Sequence, residues 1–141
     1  MSSTQSYVYG YIQTLSNFDD YNNEVLKGYT FDEVYPFSNI FCAPKKMYRG
    51  SIISFAGIYK DLGNIDESDW KEWVAKFEKM LQSLYSFSAS VHLKDEDNGF
   101  LKQYEYVCEN GLDDQVVPQK RKWVKTECGK GGSEIGESKV I

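Results

Sequence analysis

"SVHLKDEDNGFLKQYEY", residues 90–106, decides how this chain is read, because it holds the single histidine beside the densest run of carboxylates. In "FSASVHL" (87–93), Phe87, Ala89, Val91 and Leu93 alternate with Ser88, Ser90 and His92, the pattern of a half-buried antiparallel strand. Asn98-Gly99 is a strong short hairpin signal, since both residues tolerate positive φ. "FLKQYEYVC" (100–108) is then the returning strand. His92 falls on the polar face of a hairpin arm, with Asp95, Glu96 and Asp97 at its tip.

Outward from the hairpin, the clearest element is "IDESDWKEWVAKFEKMLQSLYSF" (65–87). Trp70, Trp73, Val74, Phe77, Met80, Leu81 and Leu84 fall at helical spacing and form one apolar stripe. Asp66, Ser68 or Asp69 can cap that helix, and acids in its first turn suit the helix dipole. "YVYGYIQTL" (7–15) alternates and reads as a first strand, while "SIISFAGIY" (51–59), apolar on both faces, reads as a strand covered on both sides or nearly so. "NFDDYNNEVLKGYTFDEVYPF" (17–37) carries helix-start residues, is interrupted by Gly28 and stops before Pro36; one broken helix or two short ones fit. "NIFCAP" (39–44) reads as a short extended piece.

This order predicts an α+β fold: a ferredoxin-like two-layer sandwich with an antiparallel sheet of four to five strands and two helices on one face. The other face of the sheet would stay open. Residues 1–117 form the single domain. Residues 118–141 hold a basic "KRKWVK" cluster and four glycines in 129–136, which predicts a flexible tail, or one folding back onto the body.

Charge is uneven along the chain. Residues 1–117 hold 18 acids against 10 bases, a balance of −8, and residues 118–141 hold 3 against 6, a balance of +3. Such a body should repel nucleic acid and anionic membranes and attract a basic protein. No apolar run approaches the ~20 residues that span a bilayer, and nothing at the start reads as a secretion signal. Three cysteines without metal spacing read as reduced thiols of a cytoplasmic protein.

Catalytic chemistry has weak candidates. Cys42 or Cys108 with His92 would make a thiol–imidazole pair, but both cysteines sit in apolar strand sequence where a thiol behaves as a small hydrophobe. The clustered carboxylates read as solvated turns and helix starts, with neither EF-hand spacing nor a phosphate loop in "CGKGGSEIG" (128–136). No enzymatic activity, metal or cofactor is expected. The acids Asp66, Glu67, Asp69, Asp95, Glu96 and Asp97, with Tyr104 and Tyr106 as anchors, are expected to contact a partner.

The segments "YVYGYIQTL", "VYPFSNIFCAP" (34–44), "SIISFAGIY" and "DWKEWVAKFEKML" (69–81) give the stretch 7–107 a resemblance to the small acidic immunity proteins encoded beside bacterial polymorphic or contact-dependent inhibition toxins. That resemblance implies a non-catalytic cytoplasmic inhibitor of a cognate toxin domain, often a basic nuclease. A general binding or adaptor domain that uses its open sheet face is the alternative.

Overall fold

The structure, a computed structural model, describes residues 5–29, 40–62, 68–96, 99–128 and 135–141. They form one antiparallel sheet and two α-helices. In chain order the elements are β1 (Gln5–Thr14), α1 (Asp19–Gly28), β2 (Lys45–Lys46), β3 (Ser51–Lys60), α2 (Ser68–Leu81), β4 (Ser86–Asp95), β5 (Gly99–Cys108), β6 (Trp123–Cys128) and β7 (Ile135–Val140). The strands stand in the order β2-β3-β1-β4-β5-β6-β7, and every neighbouring pair is antiparallel. β3 and β4 flank β1 and run the same way, so the connection through α2 crosses over β1.

The α+β class, the antiparallel sheet and the helix pair agree with the expectation. The strand count does not: seven strands replace the four to five expected. The additional strands come from residues 118–141, for which a flexible tail or one folding back onto the body is expected. β6 pairs with β5 from Cys108↔Trp123 to Gln103↔Cys128, and β7 pairs with β6. Two side chains explain why this segment joins the body. Trp123 buries its indole in the core. Arg121 is buried and donates from Nε to the Ser86 carbonyl at 3.0 Å and from Nη1 to those of Asp113 and Val116 at 2.8 and 3.1 Å. Its Nη2 donates to the Gly111 carbonyl. A charged donor set that saturates otherwise orphaned carbonyls is worth more than neutral hydrogen bonds, and it ties the 109–117 loop to the sheet.

Strand alternation sorts residues onto two faces. Val8 and Ile12 of β1, Ile53, Phe55 and Tyr59 of β3, Ala89, Val91 and Leu93 of β4, and Tyr104, Tyr106 and Cys108 of β5 share one buried face. The whole expected stripe of α2, Trp70 through Leu81 with Leu84 just beyond, is buried against it. Rings dominate the interface: Trp70–Trp73, Trp73–Phe77 and Phe55–Phe77 have centroids 5.4, 5.5 and 5.5 Å apart. At the middle of this face Gly10 has no substitute, because a Cβ there would stand 1.8 Å from the Ser90 carbonyl oxygen.

α1 lies on the same side. Val25, Leu26 and Tyr29 pack against the core, and the Tyr29 hydroxyl donates to the Lys76 carbonyl of α2 at 3.4 Å. Buried Asn22 imitates a strand neighbour: its Nδ2 donates to the Tyr85 carbonyl at 3.1 Å and its Oδ1 accepts from the Tyr85 amide at 2.9 Å. The expected extended piece at 39–44 is a single bridge, Phe41↔Phe55, followed by β2. The second half of the expected 17–37 helix, from residue 30 onward, lies outside the described residues. No helix among the described residues is long and apolar enough to cross a membrane.

Candidate interaction face

The tyrosines expected to anchor a partner are structural. Tyr104 and Tyr106 are 6% and 1% exposed, because β5 turns them toward α2. The Trp70 indole donates to the Tyr104 hydroxyl at 3.1 Å, and the Tyr106 hydroxyl donates to Glu78 at 2.8 Å. Lys125 completes the cluster, with its ammonium 2.7 Å from Glu78 and 4.3 Å from the centre of the Tyr104 ring. Burial, reinforced by the charge of Glu78 and by the hydrogen bond to it, holds the Tyr106 phenol well above its ordinary range. A phenol with its hydroxyl satisfied inside the protein is not free to meet another chain. Tyr104 and Tyr106 therefore belong to the core and not to a contact surface.

Exposed tyrosines stand instead at Tyr21, at Tyr48 and, as a row on the sheet, in the first strand. Tyr7, Tyr9 and Tyr11 alternate with the inward-facing Val8, Gly10 and Ile12, and they stand on the face that no helix among the described residues covers. Tyr9 and Tyr11 are 41% and 38% exposed. Register sets their neighbours in cross-strand rows. One row runs Ala56, Tyr9, His92, Gln103, Cys128; the next runs Ser54, Tyr11, Ser90, Glu105, Thr126; a third holds Ile58, Tyr7 and Lys94. Tyr9 and His92 stack nearly parallel, with centroids 4.9 Å apart. Glu105 accepts from Ser90 Oγ and from Gln103 Nε2, the latter at 3.1 Å, and Ser88 Oγ donates to Gln13 at 2.5 Å. His92 therefore lies on the polar face of its strand, as its alternation implied.

Depressions flank the tyrosine row. One of about 570 Å³ is bounded by Tyr7, Tyr9, Ala56, Gly57 and Ile58 and is mainly apolar. Another of about 370 Å³ lies against Tyr7, Tyr9, Lys94 and Glu96. The apolar one corrects the reading of β3 as covered on both sides, since Ile58 is 64% exposed there.

The acidic positions meet different fates. Asp95 is only 4% exposed, accepting from Ser6 Oγ at 2.8 Å, while that oxygen accepts from the Leu62 amide at 3.0 Å. Asp95 thus braces the strand ends and is removed from the contact surface. The brace also holds Leu62, just after β3, and the end of β4 at the same end of the sheet. Glu96 is exposed there, its amide donating to the Gln5 carbonyl at 2.9 Å, and Asp69 sits in the first turn of α2. Asp66, Glu67, Asp97 and Asn98 lie outside the described residues. The hairpin closes with Gly99 at φ +70°, opposite Asp95.

The thiol–imidazole pairs are not assembled. Cys108 faces α2, on the side of the sheet opposite His92. Cys42 runs along the outer side of β3, its amide donating to the Ser54 carbonyl at 2.9 Å. That leaves β3 and β1 between it and His92, a separation of ~14 Å at the usual strand spacing. Among the described residues no group of acids, histidines and cysteines is arranged to hold a metal ion. Compared with family models, with curated proteins and with solved structures, the chain matches none.

Proposed function

We propose that this chain is a non-catalytic cytoplasmic inhibitor that binds a basic protein through the open face of its sheet and the acid-bearing end beside it. On the resemblance to immunity proteins, that partner is a cognate bacterial toxin domain. We read the β2-β3-β1-β4 half as a ferredoxin-like core extended by β5, β6 and β7. One observation carries the functional reading. The segments 60–69 and 94–97 contain seven acids and two lysines, and their described ends meet where Tyr7 and Tyr9 are uncovered. Aromatic anchors beside like charges suit recognition of a basic protein: charge sets encounter and selectivity, and rings supply buried area.

The test is co-purification with the toxin domain encoded beside it, at low and at high salt, with toxicity assayed in parallel. A stoichiometric complex that removes toxicity is expected, its affinity falling roughly tenfold or more as salt screens the charges and again on Glu96→Lys with Asp69→Lys. Absence of a complex, or one indifferent to salt and to both reversals, overturns the reading. The exposed Ile58 favours a second reading, an adaptor domain whose contacts are apolar; binding that ignores the charge reversals but fails on Tyr9→Ser would select it.

A further inference from the structure

Resting on the proposal of a basic protein partner, we infer that the depression between Tyr7, Tyr9 and Ile58 is the anchor point of that contact. It receives one large apolar side chain of a partner segment that also carries a basic residue.

The argument starts from what the covered face does with the same residue types. There, each large apolar group has a neighbour: α2 lays its stripe on the sheet, and the tyrosine hydroxyls find partners in Trp70, Glu78 and Trp73. On the open face the apolar atoms of Ala56 and Ile58 and the ring faces of Tyr7 and Tyr9 line a hollow of about 570 Å³. A hollow of that size holds an aromatic or large aliphatic side chain, and its lining offers little to a polar one.

Charge selects the company this anchor keeps. Across the Tyr7–Tyr9 row lies the second depression, with Lys94 and the exposed carboxylate of Glu96. β3 and β4 are two strand spacings apart over β1, so the depressions stand ~10 Å from each other. Among the described residues at these strand ends, Asp61, Asp95 and Glu96 outnumber Lys60 and Lys94, which favours a cation on that side. The covered face already seats such a cation: Lys125 rests between Glu78 and the Tyr104 ring. Tyr7 and Tyr9 beside Glu96 offer the same pairing of ring and carboxylate to an incoming lysine or arginine.

The experiment pans a phage-displayed library of random linear peptides on the full chain and measures selected peptides against three proteins: the wild type, Ile58→Glu and Val107→Glu. Val107 is 58% exposed on the same face, two strands from Tyr9, and controls for adding a charge. Both positions are exposed, and thermal unfolding checks that both variants fold. Peptides combining Trp, Phe or Leu with Arg or Lys are expected. They should weaken at least about tenfold on Ile58→Glu, although the new carboxylate would favour their charge, and stay within about twofold on Val107→Glu. An empty selection, acidic peptides, or peptides indifferent to Ile58→Glu overturn the anchor, as does tighter binding of a labelled single-stranded RNA at the same face. Failure of the two proposals can be told apart. A toxin-domain complex that ignores Ile58→Glu removes the anchor alone. Ile58-dependent peptides without any toxin-domain complex remove the inhibitor reading alone.

Discussion

β1 presents two surfaces that differ by one residue of phase. Val8, Gly10 and Ile12 look toward α2, with Val8 and Ile12 fully buried, whereas Tyr7, Tyr9 and Tyr11 look away from it. Both sides of the sheet carry tyrosines, yet their hydroxyls and rings are used differently. Under the helix, Tyr59, Tyr104 and Tyr106 exchange hydrogen bonds with Trp73, Trp70 and Glu78 within an aromatic stack. On the open side, Tyr9 leans on His92 and leaves its other face to solvent. A tyrosine's role is therefore set by whether another element covers its face. Residue type alone does not decide it.

If this division is right, the covered side carries the stability. Trp73→Ala removes a fully buried indole, opens a cavity beside Phe55 and Phe77, and leaves the Tyr59 hydroxyl without its donor. Urea unfolding should show a loss of about 3–5 kcal/mol. A loss under about 1 kcal/mol would mean that α2 does not close this face, and the comparison would fail at its root.

The same division explains what the amino-acid order disclosed. α2 was legible because seven apolar residues at helical spacing admit one buried stripe, and all seven are buried. The β4–β5 hairpin was legible from alternation and from Gly99. β5 itself was misread, since Lys102, Tyr104 and Tyr106 alternate with Gln103, Glu105 and Val107 and either set can face a core. Only pairing with β4 settles it: Tyr104 stands opposite Val91 and Tyr106 opposite Ala89, both inward. In β1 a usable signal was present, because Gly10 lies between Val8 and Ile12, and those small or aliphatic positions suit the side pressed against a helix. Residues 118–141 look polar and Gly-rich because what joins them to the body is strand pairing, the Lys125–Glu78 ion pair and two buried side chains, Arg121 and Trp123, and none of these shows as an apolar pattern. An arginine that collects four carbonyls leaves no periodic trace.

A smaller effect probes the polar seam under the helix. Burial raises the phenols of Tyr106, Tyr59 and Tyr29, with Glu78 adding to the rise at Tyr106 and the Trp73 indole partly offsetting it at Tyr59. Each folded-state value then lies above the unfolded one, near 10. The folded protein holds these protons more tightly, so their contribution is whole below about pH 10 and is lost as pH rises beyond it. Unfolding midpoints measured upward from neutral pH should hold level and then drop above about pH 10. Tyr106→Phe should cost about 1 kcal/mol at neutral pH and shallow that drop. An unchanged drop would place the alkaline sensitivity elsewhere.

The smallest change in stability is expected where the change in binding is large. Tyr9→Ser gives up the stack on His92 and some cross-strand packing, but the site it leaves is already wet. The loss should stay below about 1 kcal/mol in the same urea assay. For the partner the same substitution removes a wall common to both depressions, and affinity should fall by about tenfold or more. The ratio of these effects is the measurement that matters. A residue of the covered face would show the reverse, with large cost to folding and loss of binding only in proportion to the unfolded fraction. Should Tyr9→Ser destabilise the chain by several kcal/mol, the open face would be structural after all, and the recognition surface would have to be sought along the sheet edges.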